Sequence, residues 1–521
     1  MISRTRVLPF VAVMALVTGF LFADAIPAGA ATTNVNCPTD NLQTKITAAG
    51  AGDTLVISGT CVGNFIVNNK LTLSGMPGAT LDGGSVATTL TTNATKVKVT
   101  GLLITGGVDS TMSFGGGGIL NFGTLSISHS TVSGNSAPLS GGAGGGIANT
   151  GTGILTISSS TLSGNSANSA GGGIINEGTL TISGSTLDGN SAQSGGGIYN
   201  DGVLSMSTST MSTNDASLFG GGIFNILGNA TVLTSTFAGN IAGSNGGAID
   251  NRSTFTLSTS TLNKNKAPLG GAISNVGGGV TLTLTSSTVS GNSADDGGGI
   301  HNFTGTTNVG SSIVAGNTAT TAGNDCTGAP TSNGYNLIGD ADGCSFVATT
   351  GDQAGSGSGS GEIDPLIGPL ANNGGPTQTM RLGLSSPAAD AIPAGTALCP
   401  TSGTKDQRGT ARPAGTTCDI GAYELKPWIS RVTVGSGVAA TPSVSGTIAC
   451  QLDAPFTISI TLKQSASSGT GSTSGTCTGS TPVAWTASVI GGTFAPGAAQ
   501  VLYTATASTA KVKGKFQVVL A

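Results

Sequence analysis

Eight copies of one sequence repeat fill the middle of this chain, and their period constrains the fold more than any other feature. The first copy reads Gly-Gly-Gly-Ile-Leu-Asn at residues 116–121, then Leu-Ser-Ile at 125–127, then Ser-Thr-Val at 130–132. The asparagine of the opening phrase recurs at steps of 24 to 28 residues, as Asn121, Asn149, Asn176, Asn200, Asn225, Asn251, Asn275 and Asn302. A fixed period in this range predicts a solenoid in which each repeat forms one coil.

Each repeat contains three short apolar runs of period two, which predict three short β-strands per coil. Ile119 and Asn121 share one face of the first strand, and Leu125 and Ile127 share one face of the second. The third strand contributes one apolar residue per repeat, beginning with Val132. Coils stacked at about 4.8 Å place equivalent side chains in continuous columns. The predicted fold is therefore an all-β parallel β-helix.

Asparagine and glycine occur where the predicted strands end. A second series of asparagines closes the third strand, as Asn135, Asn165, Asn190, Asn214, Asn240, Asn265, Asn292 and Asn317. Asparagine tolerates bent backbone and bonds turn amides, and stacked amides can also bond one another in a ladder. The glycine triplets permit bends that a β-carbon would prevent. We predict structural roles for both residue types.

Charge is scarce in this chain, which limits the classes of function it can have. Only 8% of the 521 residues are charged, 4% are aromatic, and the net charge is −4. Helical domains need charged faces, and nucleic-acid binding needs a basic cluster that displaces counterions from phosphate. We therefore expect several all-β segments and no nucleic-acid partner.

The N-terminus predicts export. Arg4 and Arg6 precede an apolar run over residues 7–22, and small residues follow as far as Ala30. This pattern is typical of a signal peptide over residues 1–30, cleaved so that the mature chain begins at Ala31. A retained membrane helix is the alternative, but the apolar run is short and the small-residue cleavage site argues against it. No second apolar stretch is long enough to span a bilayer. We expect a secreted protein, either extracellular or on the cell surface.

Eight cysteines agree with an exported chain. None lies in a CxxC motif, which argues against zinc, and an even number in a secreted chain favours disulfides. Proximity in sequence suggests four pairs, although it leaves other connectivities open: Cys37 with Cys61, Cys326 with Cys344, Cys399 with Cys418, and Cys450 with Cys477. We predict no metal and no cofactor.

The repeats resemble those of known β-helix proteins. Residues 34–108 form a less regular entrance, with runs such as Thr-Leu-Val-Ile at 54–57. Together with the repeats they resemble the right-handed parallel β-helix proteins of the pectin-lyase-like class. The phrase Gly-Gly-Gly-Ile-Ile-Asn-Glu-Gly-Thr-Leu at 171–180 is similar to the repeats of bacterial surface proteins, including polymorphic outer-membrane proteins. The resemblance implies a right-handed β-helix over residues 31–345.

Two further modules follow a predicted Gly/Ser linker at residues 346–362. Asp-Gln-Arg-Gly at 406–409 and Asp-Ile-Gly-Ala-Tyr-Glu at 419–424 are similar to motifs of the choice-of-anchor Q module, which follows many bacterial β-helices. That resemblance covers residues 363–426, but no recognisable sorting signal follows it. Residues 427–521 alternate like sandwich strands and resemble an immunoglobulin-like module.

No residue is a confident catalytic candidate. The pectin-lyase-like resemblance implies a polysaccharide lyase or glycoside hydrolase as one alternative, and such chemistry needs clustered carboxylates. The weak candidates are Asp295 and Asp296, expected in the turn after Asn292, and His301, expected in an outward position. Asp250 and Arg252 lie two coils earlier, with Asp250 in the same outward position as His301. A solvated turn and a variable surface position are the favoured explanation of these residues.

The outward position also predicts a binding surface. Ile175, Tyr199 and Phe224 would form an apolar and aromatic stripe if the coils are in register, and aromatic faces can stack on sugar rings. A loop or the C-terminal module could cover them instead. The favoured function is a non-catalytic, adhesin-like binding protein for polysaccharide or cell-envelope glycan. A purely structural cell-envelope protein is a further alternative, and the oligomeric state is left open.

Overall fold

The computed structural model describes residues 29–94, 96–110, 115–357, 361–383, 385–414, 417–425, 429–434, 443–450, 454–477, 483–495, 497–507 and 510–520. Strands of a parallel β-solenoid of about 12 turns form most of it, only 2% is helical, and small antiparallel modules follow. The predicted all-β solenoid is thus confirmed. Most of the predicted signal peptide (residues 1–28) and the side chains of Cys450 and Cys477 lie outside the described residues.

Three long parallel sheets form the walls of the solenoid, one for each strand of the repeat. Sheet 1, from the first strand, has the order Phe65–Val67, Leu90–Thr92, Ile119–Asn121, Ile147–Asn149, Ile174–Asn176, Ile198–Asn200, Ile223–Asn225, Ile249–Asn251, Ile273–Val276, Ile300–Phe303 and Cys326–Thr327. Sheet 2, from the second strand, has the order Thr32–Asn36, Thr54–Ser58, Leu71–Gly75, Val97–Thr100, Thr124–Ser128, Ile154–Ser158, Thr179–Ser183, Val203–Ser207, Asn229–Leu233, Thr254–Ser258, Thr281–Thr285, Thr306–Gly310 and Thr331–Ser332. Sheet 3, from the third strand, has the order Thr60–Val62, Thr80–Asp82, Leu103–Thr105, Thr131–Ser133, Thr161–Ser163, Thr186–Asp188, Thr210–Ser212, Thr236–Ala238, Thr261–Asn263, Thr288–Ser290, Ile313–Val314, Leu337–Ile338 and Gln353–Ala354.

A fourth, shorter row of strands adds to the three predicted per coil. We call it sheet 4, and its strands follow the asparagine that closes sheet 3. They are Ser136–Ala137, Ser166–Ala167, Ser191–Ser194, Asp215–Phe219 and Ile241–Ala242, then a separate pair, Ser293–Asp296 and Thr318–Ala322. Asp295 and Asp296 therefore lie in a strand, and the predicted turn at this point is wrong.

The core of the solenoid is made of the predicted apolar columns. Ile119, Leu125, Ile127 and Val132 are completely buried, as are their equivalents along the coils. The strand register pairs identical positions of successive repeats, for example Leu125 with Leu155. One coil presents too little apolar surface to fold alone, so the stacking of neighbours is what buries this core.

Both asparagine series form the predicted ladders. Asn121 Nδ2 donates to Asn149 Oδ1 at 2.7 Å, and the same bond links each pair as far as Asn302. The second ladder runs from Asn135 to Asn317. Asp325 accepts its last bond at 2.9 Å, and burial raises the pKa of this carboxyl to about 7. The ladders satisfy polar groups that would otherwise be buried without partners.

The N-terminal end of the solenoid is covered by its own chain. The α-helix Leu42–Ala48 buries Leu42 and Ile46 against the core, and the Asn41 side chain caps its N-terminus. Disulfides join Cys37 to Cys61, Cys326 to Cys344 and Cys399 to Cys418, so three of the four predicted pairs are confirmed. Within the described residues, no helix has the length and apolarity needed to cross a membrane.

Residues 363–425 pack against the outer side of sheet 3. The strands here are Ile367–Ala371 with Thr379–Leu382, Ile392–Pro393 with Thr417–Cys418, and Thr404–Lys405 with Ala411–Arg412. Their apolar side chains, including Ile392 and Ile420, share a core with Ile313 of sheet 3. Gln407 donates to Thr236 Oγ1 at 2.8 Å and accepts from Thr261 Oγ1 at 2.6 Å. This segment therefore covers sheet 3 and not the stripe on sheet 1.

The remaining strands form two antiparallel sheets. One has the order Ile429–Val434, Ser443–Cys450 and Val483–Ser488, and the other has the order Ser467–Cys477, Ala454–Gln464, Gly497–Ala507 and Ala510–Leu520. Val444 and Trp485 of the first share one buried cluster with Ile458 and Val501 of the second. Two sheets closed over a common apolar layer form a β-sandwich.

Candidate functional site: a groove along the glycine corner

A tight bend at the glycine triplet, or at Gly-Gly-Ala in two repeats, leads from sheet 4 into sheet 1. From the second repeat onward, the first glycine of this phrase has a positive φ, for example +64° at Gly171 and +60° at Gly220. A β-carbon at Gly220 would collide with the carbonyl of Ile223. Because of this bend, the side chain just before the triplet faces the side chain five residues later in the sequence, which belongs to sheet 1. Phe219 and Phe224 are one such pair.

Two columns of side chains consequently face each other along the rod, and we call the space between them the corner groove. The sheet 1 column, in register along the sheet, is Leu120, Ala148, Ile175, Tyr199, Phe224, Asp250, Ser274, His301 and Thr327. The facing column is Ala143, Ala170, Ser194, Phe219, Asn245, Leu269, Asp296 and Ala322.

The N-terminal part of the groove is apolar and filled by its own side chains. Ala143 and Ala170 pack against Ala148 and Ile175, and Ile175 is only 5% exposed. Phe224 is 3% exposed, so little of either residue is available to a ligand. Within the stripe predicted from the sequence, Tyr199 is the residue that remains half-buried.

Aromatic rings and one arginine fill the middle of the groove. Phe219 stacks on Phe224 with ring centroids 5.6 Å apart, and Tyr199 meets Phe224 edge-on at 5.4 Å. The Arg252 guanidinium lies 4.1 Å from the centroid of Phe219 and 4.8 Å from that of Phe224. Such cation–π contacts hold the guanidinium over the rings.

Carboxylates lie beside Tyr199 on the outer face of sheet 1. Burial raises the pKa of Tyr199, and the nearby charges of Asp201 and Glu177 raise it further. The pKa of Glu177 is itself raised by burial and by Asp201. These two acidic residues follow the ladder asparagines Asn176 and Asn200, so strand register brings them together.

Asp250 is a completely buried carboxylate. Its Oδ2 accepts a hydrogen bond from Arg252 Nη2 at 3.0 Å, whereas its Oδ1 and the Arg252 Nε have no partner. Burial raises the pKa of Asp250 to about 6 despite the opposing effect of the arginine. A carboxyl with such a pKa could exchange a proton near neutral pH.

His301 lies two coils after Asp250, as the sequence predicted. Burial lowers the pKa of His301, and the negative charge of Asp296, on the facing column, partly opposes that shift. The imidazole Nδ1 and Asp296 Oδ1 are both buried without a partner. Phe303, 59% exposed, stacks on the imidazole at 6.3 Å with the two planes 8° apart.

The structure brings together some of the candidate residues and separates others. Asp296 and His301 face each other, and Asp250 shares the His301 column, about 10 Å away at two strand spacings. Asp295 is exposed and accepts a hydrogen bond from Thr320 Oγ1 at 2.9 Å, outside the groove. The described residues contain no group of three His, Cys, Asp or Glu side chains arranged to hold a metal ion.

Sequence reasoning missed the facing column and Phe303. The available signal was the residue immediately before each glycine triplet, since Phe219, Asn245 and Asp296 all occupy that place. Its significance depends on the direction of the bend, which the repeat pattern does not reveal. Phe303 was missed because it follows the last ladder asparagine, in a place that varies between repeats.

The comparisons with known proteins give no family assignment. No protein-family model, curated protein or solved structure matches this chain. Its function must therefore be argued from its own geometry.

Proposed function

We propose that this protein is an exported, non-catalytic binding protein that contacts carbohydrate along the outer face of sheet 1. The observation that carries the proposal is a pair of accessible aromatic rings, Tyr199 and Phe303, at the two ends of a strip that contains Arg252 and Asp250. Aromatic faces bind the apolar faces of sugar rings, and the polar groups between them orient the ligand.

The separation of the two rings suits an extended ligand. Four strand steps of sheet 1 separate Tyr199 from Phe303, which is about 19 Å along the rod. Both rings project from in-register strands of a rigid solenoid, so little conformational entropy is lost when a chain binds across them. A polysaccharide reaches both rings at once, which increases its retention over that of a short oligosaccharide.

The same proposal includes export of the protein and the specific family resemblances of its sequence. Three disulfides support an oxidising compartment, because such bonds are rare in the cytosol. The signal-like N-terminus, the pectin-lyase-like β-helix, the repeats similar to polymorphic outer-membrane proteins and the choice-of-anchor Q motifs all favour a bacterial surface or extracellular location.

The test is retention of the chain from Ala31 onward on immobilised polysaccharides, with product release measured in the same samples. Tyr199→Ala and Phe303→Ala should each weaken retention about tenfold, since one stacked ring contributes about 1–2 kcal/mol. Val203→Ala is the matched control, because Val203 is an exposed apolar residue on the outer face of sheet 2. Equal weakening by the control, or retention on no polymer, contradicts the proposal.

A glycoside hydrolase or polysaccharide lyase is the second candidate, and Asp250 favours it. This buried carboxyl, with a pKa of about 6, has the protonation behaviour that a general acid needs. Asp296 and His301 provide further groups in the same groove. Release of oligosaccharides by the wild-type protein, abolished by Asp250→Asn or Asp296→Asn and retained by Asp295→Asn, would establish this candidate.

A further inference from the structure

Charge is distributed unevenly along this chain, and the C-terminal sandwich is its basic part. Residues 427–521 contain five of the 19 basic residues but only one of the 23 acidic residues. This segment therefore carries a net charge of +4, whereas residues 1–426 carry −8. The charge of the whole chain conceals a segment that attracts anions.

Three lysines lie on the outer face of the four-stranded sheet of the sandwich. Leu462 is completely buried between the two sheets, so its neighbour Lys463 projects to the outer face. Register through the intervening strand, Gly497–Ala507, places Lys513 and Lys515 on the same face as Lys463. All three lysines are exposed. We call this surface the lysine face.

An open groove of about 890 Å³ lies on the lysine face, and hydroxyl side chains line most of it. One row across the groove occupies four adjacent strands in register, at Ser472, Ser459, Thr504 and Lys513. It spans three strand steps, or about 14 Å. The groove thus presents a line of hydroxyls that ends in an ammonium group.

The three-stranded sheet of the sandwich contributes one side of this groove. Thr470 N donates to Ile490 O at 3.0 Å, and Ile490 N donates to Thr470 O at 2.8 Å, so backbone bonds join the two sheets here. Thr486 and Ser488 of the three-stranded sheet add two more exposed hydroxyls to the lining. Because strands form both sides, the groove exists before any ligand binds, and little ordering is needed on binding.

The side chains of the groove suit an acidic sugar chain. Serine and threonine hydroxyls both donate and accept, so they match sugar hydroxyls, and a lysine ammonium binds a carboxylate as a point charge. Among the described residues that line the groove, the only aromatic one, Tyr503, packs against the buried cluster of the sandwich. A single-stranded nucleic acid needs exposed rings on which its bases stack, so it fits this groove less well.

We propose that the groove on the lysine face binds a linear acidic polysaccharide, with uronate carboxylates on Lys513 and Lys515 and sugar hydroxyls on the serine and threonine side chains. This is a second binding site, and it does not rest on the function proposed for sheet 1. A uronic acid polymer repeats a carboxylate and several hydroxyls in every sugar unit, so its charge and its hydroxyls complement the lysines and the groove together. Lys463 extends the positive charge beyond the groove.

Retention of the full chain from Ala31 onward on immobilised polygalacturonate tests the proposal. The wild type should be retained at low salt, and retention should fall at least about tenfold at high salt, because the ion pairs of exposed lysines are screened. The double variant Lys513→Gln/Lys515→Gln should weaken low-salt retention about tenfold, which corresponds to about 0.7 kcal/mol for each ion pair.

A matched control removes the same charge elsewhere. Lys70→Gln/Lys405→Gln neutralises two exposed lysines outside the sandwich and should be retained like the wild type. Equal weakening by both double variants would show that only the net charge of the chain matters, and the lysine face would not be the site.

Thr461→Val tests the hydroxyl part of the groove. Valine keeps the shape of threonine and suits a strand, so the variant should fold, and its retention should fall about fivefold with the loss of one hydrogen bond. Thr457→Val, on the same strand and face but outside the groove, is the control. Unchanged retention of Thr461→Val would mean that charge alone holds the polymer, and the groove would not be its site.

Two further results refute the proposal. One is failure of polygalacturonate to retain the wild type at low salt. The other is tighter retention on a thymidine oligonucleotide of equal charge, which would make the lysine face a nucleic-acid surface. Neither result bears on the sheet 1 strip, which is tested by Tyr199→Ala and Phe303→Ala.

Discussion

At the scale of single residues, the corner groove depends on the first glycine of each triplet. Gly220 combines a φ of +60° with backbone atoms so close that no β-carbon fits. Gly164 has the same φ of +60° in a turn between sheets 3 and 4, yet no atom lies within 4 Å of the place that a β-carbon would occupy there. Comparing substitutions at these two positions therefore distinguishes the cost of backbone strain from the cost of steric collision.

Gly220→Ala should therefore destabilise the protein more than Gly164→Ala. The strain of a left-handed alanine costs about 1–2 kcal/mol at either position, whereas the collision with the Ile223 carbonyl is added only at Gly220. Chemical unfolding of both variants against the wild type measures the two costs. Equal losses would mean that the corner can widen, and that the triplet is not required for the groove.

Asp250 predicts a pH dependence of stability. Its folded pKa of about 6 lies above the ordinary value of 3.8, so the folded state holds the proton more tightly than the unfolded state. The stability from this group is present at pH values below about 4 and is lost as the pH rises through about 6. Relative to the wild type, Asp250→Asn should gain stability as the pH rises from about 4 to about 6.

Chemical unfolding at several pH values checks this prediction. Asp215→Asn serves as a control, because Asp215 is an exposed carboxylate in sheet 4. A constant difference between Asp250→Asn and the wild type across that range would show that Asp250 is ionised in the folded protein at acid pH.

At the scale of secondary-structure elements, residues 363–425 are held against sheet 3 by apolar packing and by one polar side chain. Gln407 is 1% exposed and bonds Ser235 O, Thr236 Oγ1 and Thr261 Oγ1, all in neighbouring coils of the solenoid. Gly421 N and Ala422 N add bonds to Ser311 O and Thr288 Oγ1. The motif Asp-Gln-Arg-Gly thus contains a docking residue.

Gln407→Leu should loosen this docking without unfolding the solenoid. It leaves the buried hydroxyl of Thr261 without its acceptor, a loss of about 1–3 kcal/mol, whereas the Thr236 hydroxyl still donates to Gln378 O. Hydrogen exchange should accelerate in residues 363–425 and remain unchanged in sheets 1 and 2. Gln193→Leu, at an exposed position of sheet 4, is the control. Unchanged exchange in Gln407→Leu would assign the docking to apolar contacts alone.

The same elements show how far sequence reasoning reaches. The strands, the apolar columns and both asparagine ladders follow from the repeat, because register is imposed by identical residues at identical places. The docking of Gln407 does not follow from the repeat, because its partners Thr236 and Thr261 lie 171 and 146 residues away in sequence. The pairing of Asp296 with His301 was also hidden, because it depends on the φ of the intervening Gly297.

At the scale of the whole molecule, the solenoid is a one-dimensional stack in which each coil contacts its neighbours. Sheets 1, 2 and 3 pair each strand with the equivalent strands of the preceding and following coils. The stability of such a stack is roughly a sum of coil and interface contributions. A complete coil should accordingly be removable, provided that the register of its neighbours is preserved.

Deletion of residues 179–202 makes this prediction testable. The 24 residues removed equal the step from Asn176 to Asn200, so Gly178 joins Val203 and Asn176 gains Asn225 as its ladder partner. The docking of residues 363–425 uses only later coils and is unaffected. We expect a cooperative fold with a smaller unfolding enthalpy.

Deletion of residues 179–190 is the control. It removes only part of a coil and misplaces the apolar columns of every later repeat, so it should give an unfolded or aggregated product. If the complete-coil deletion behaves like this control, the solenoid folds as one indivisible unit.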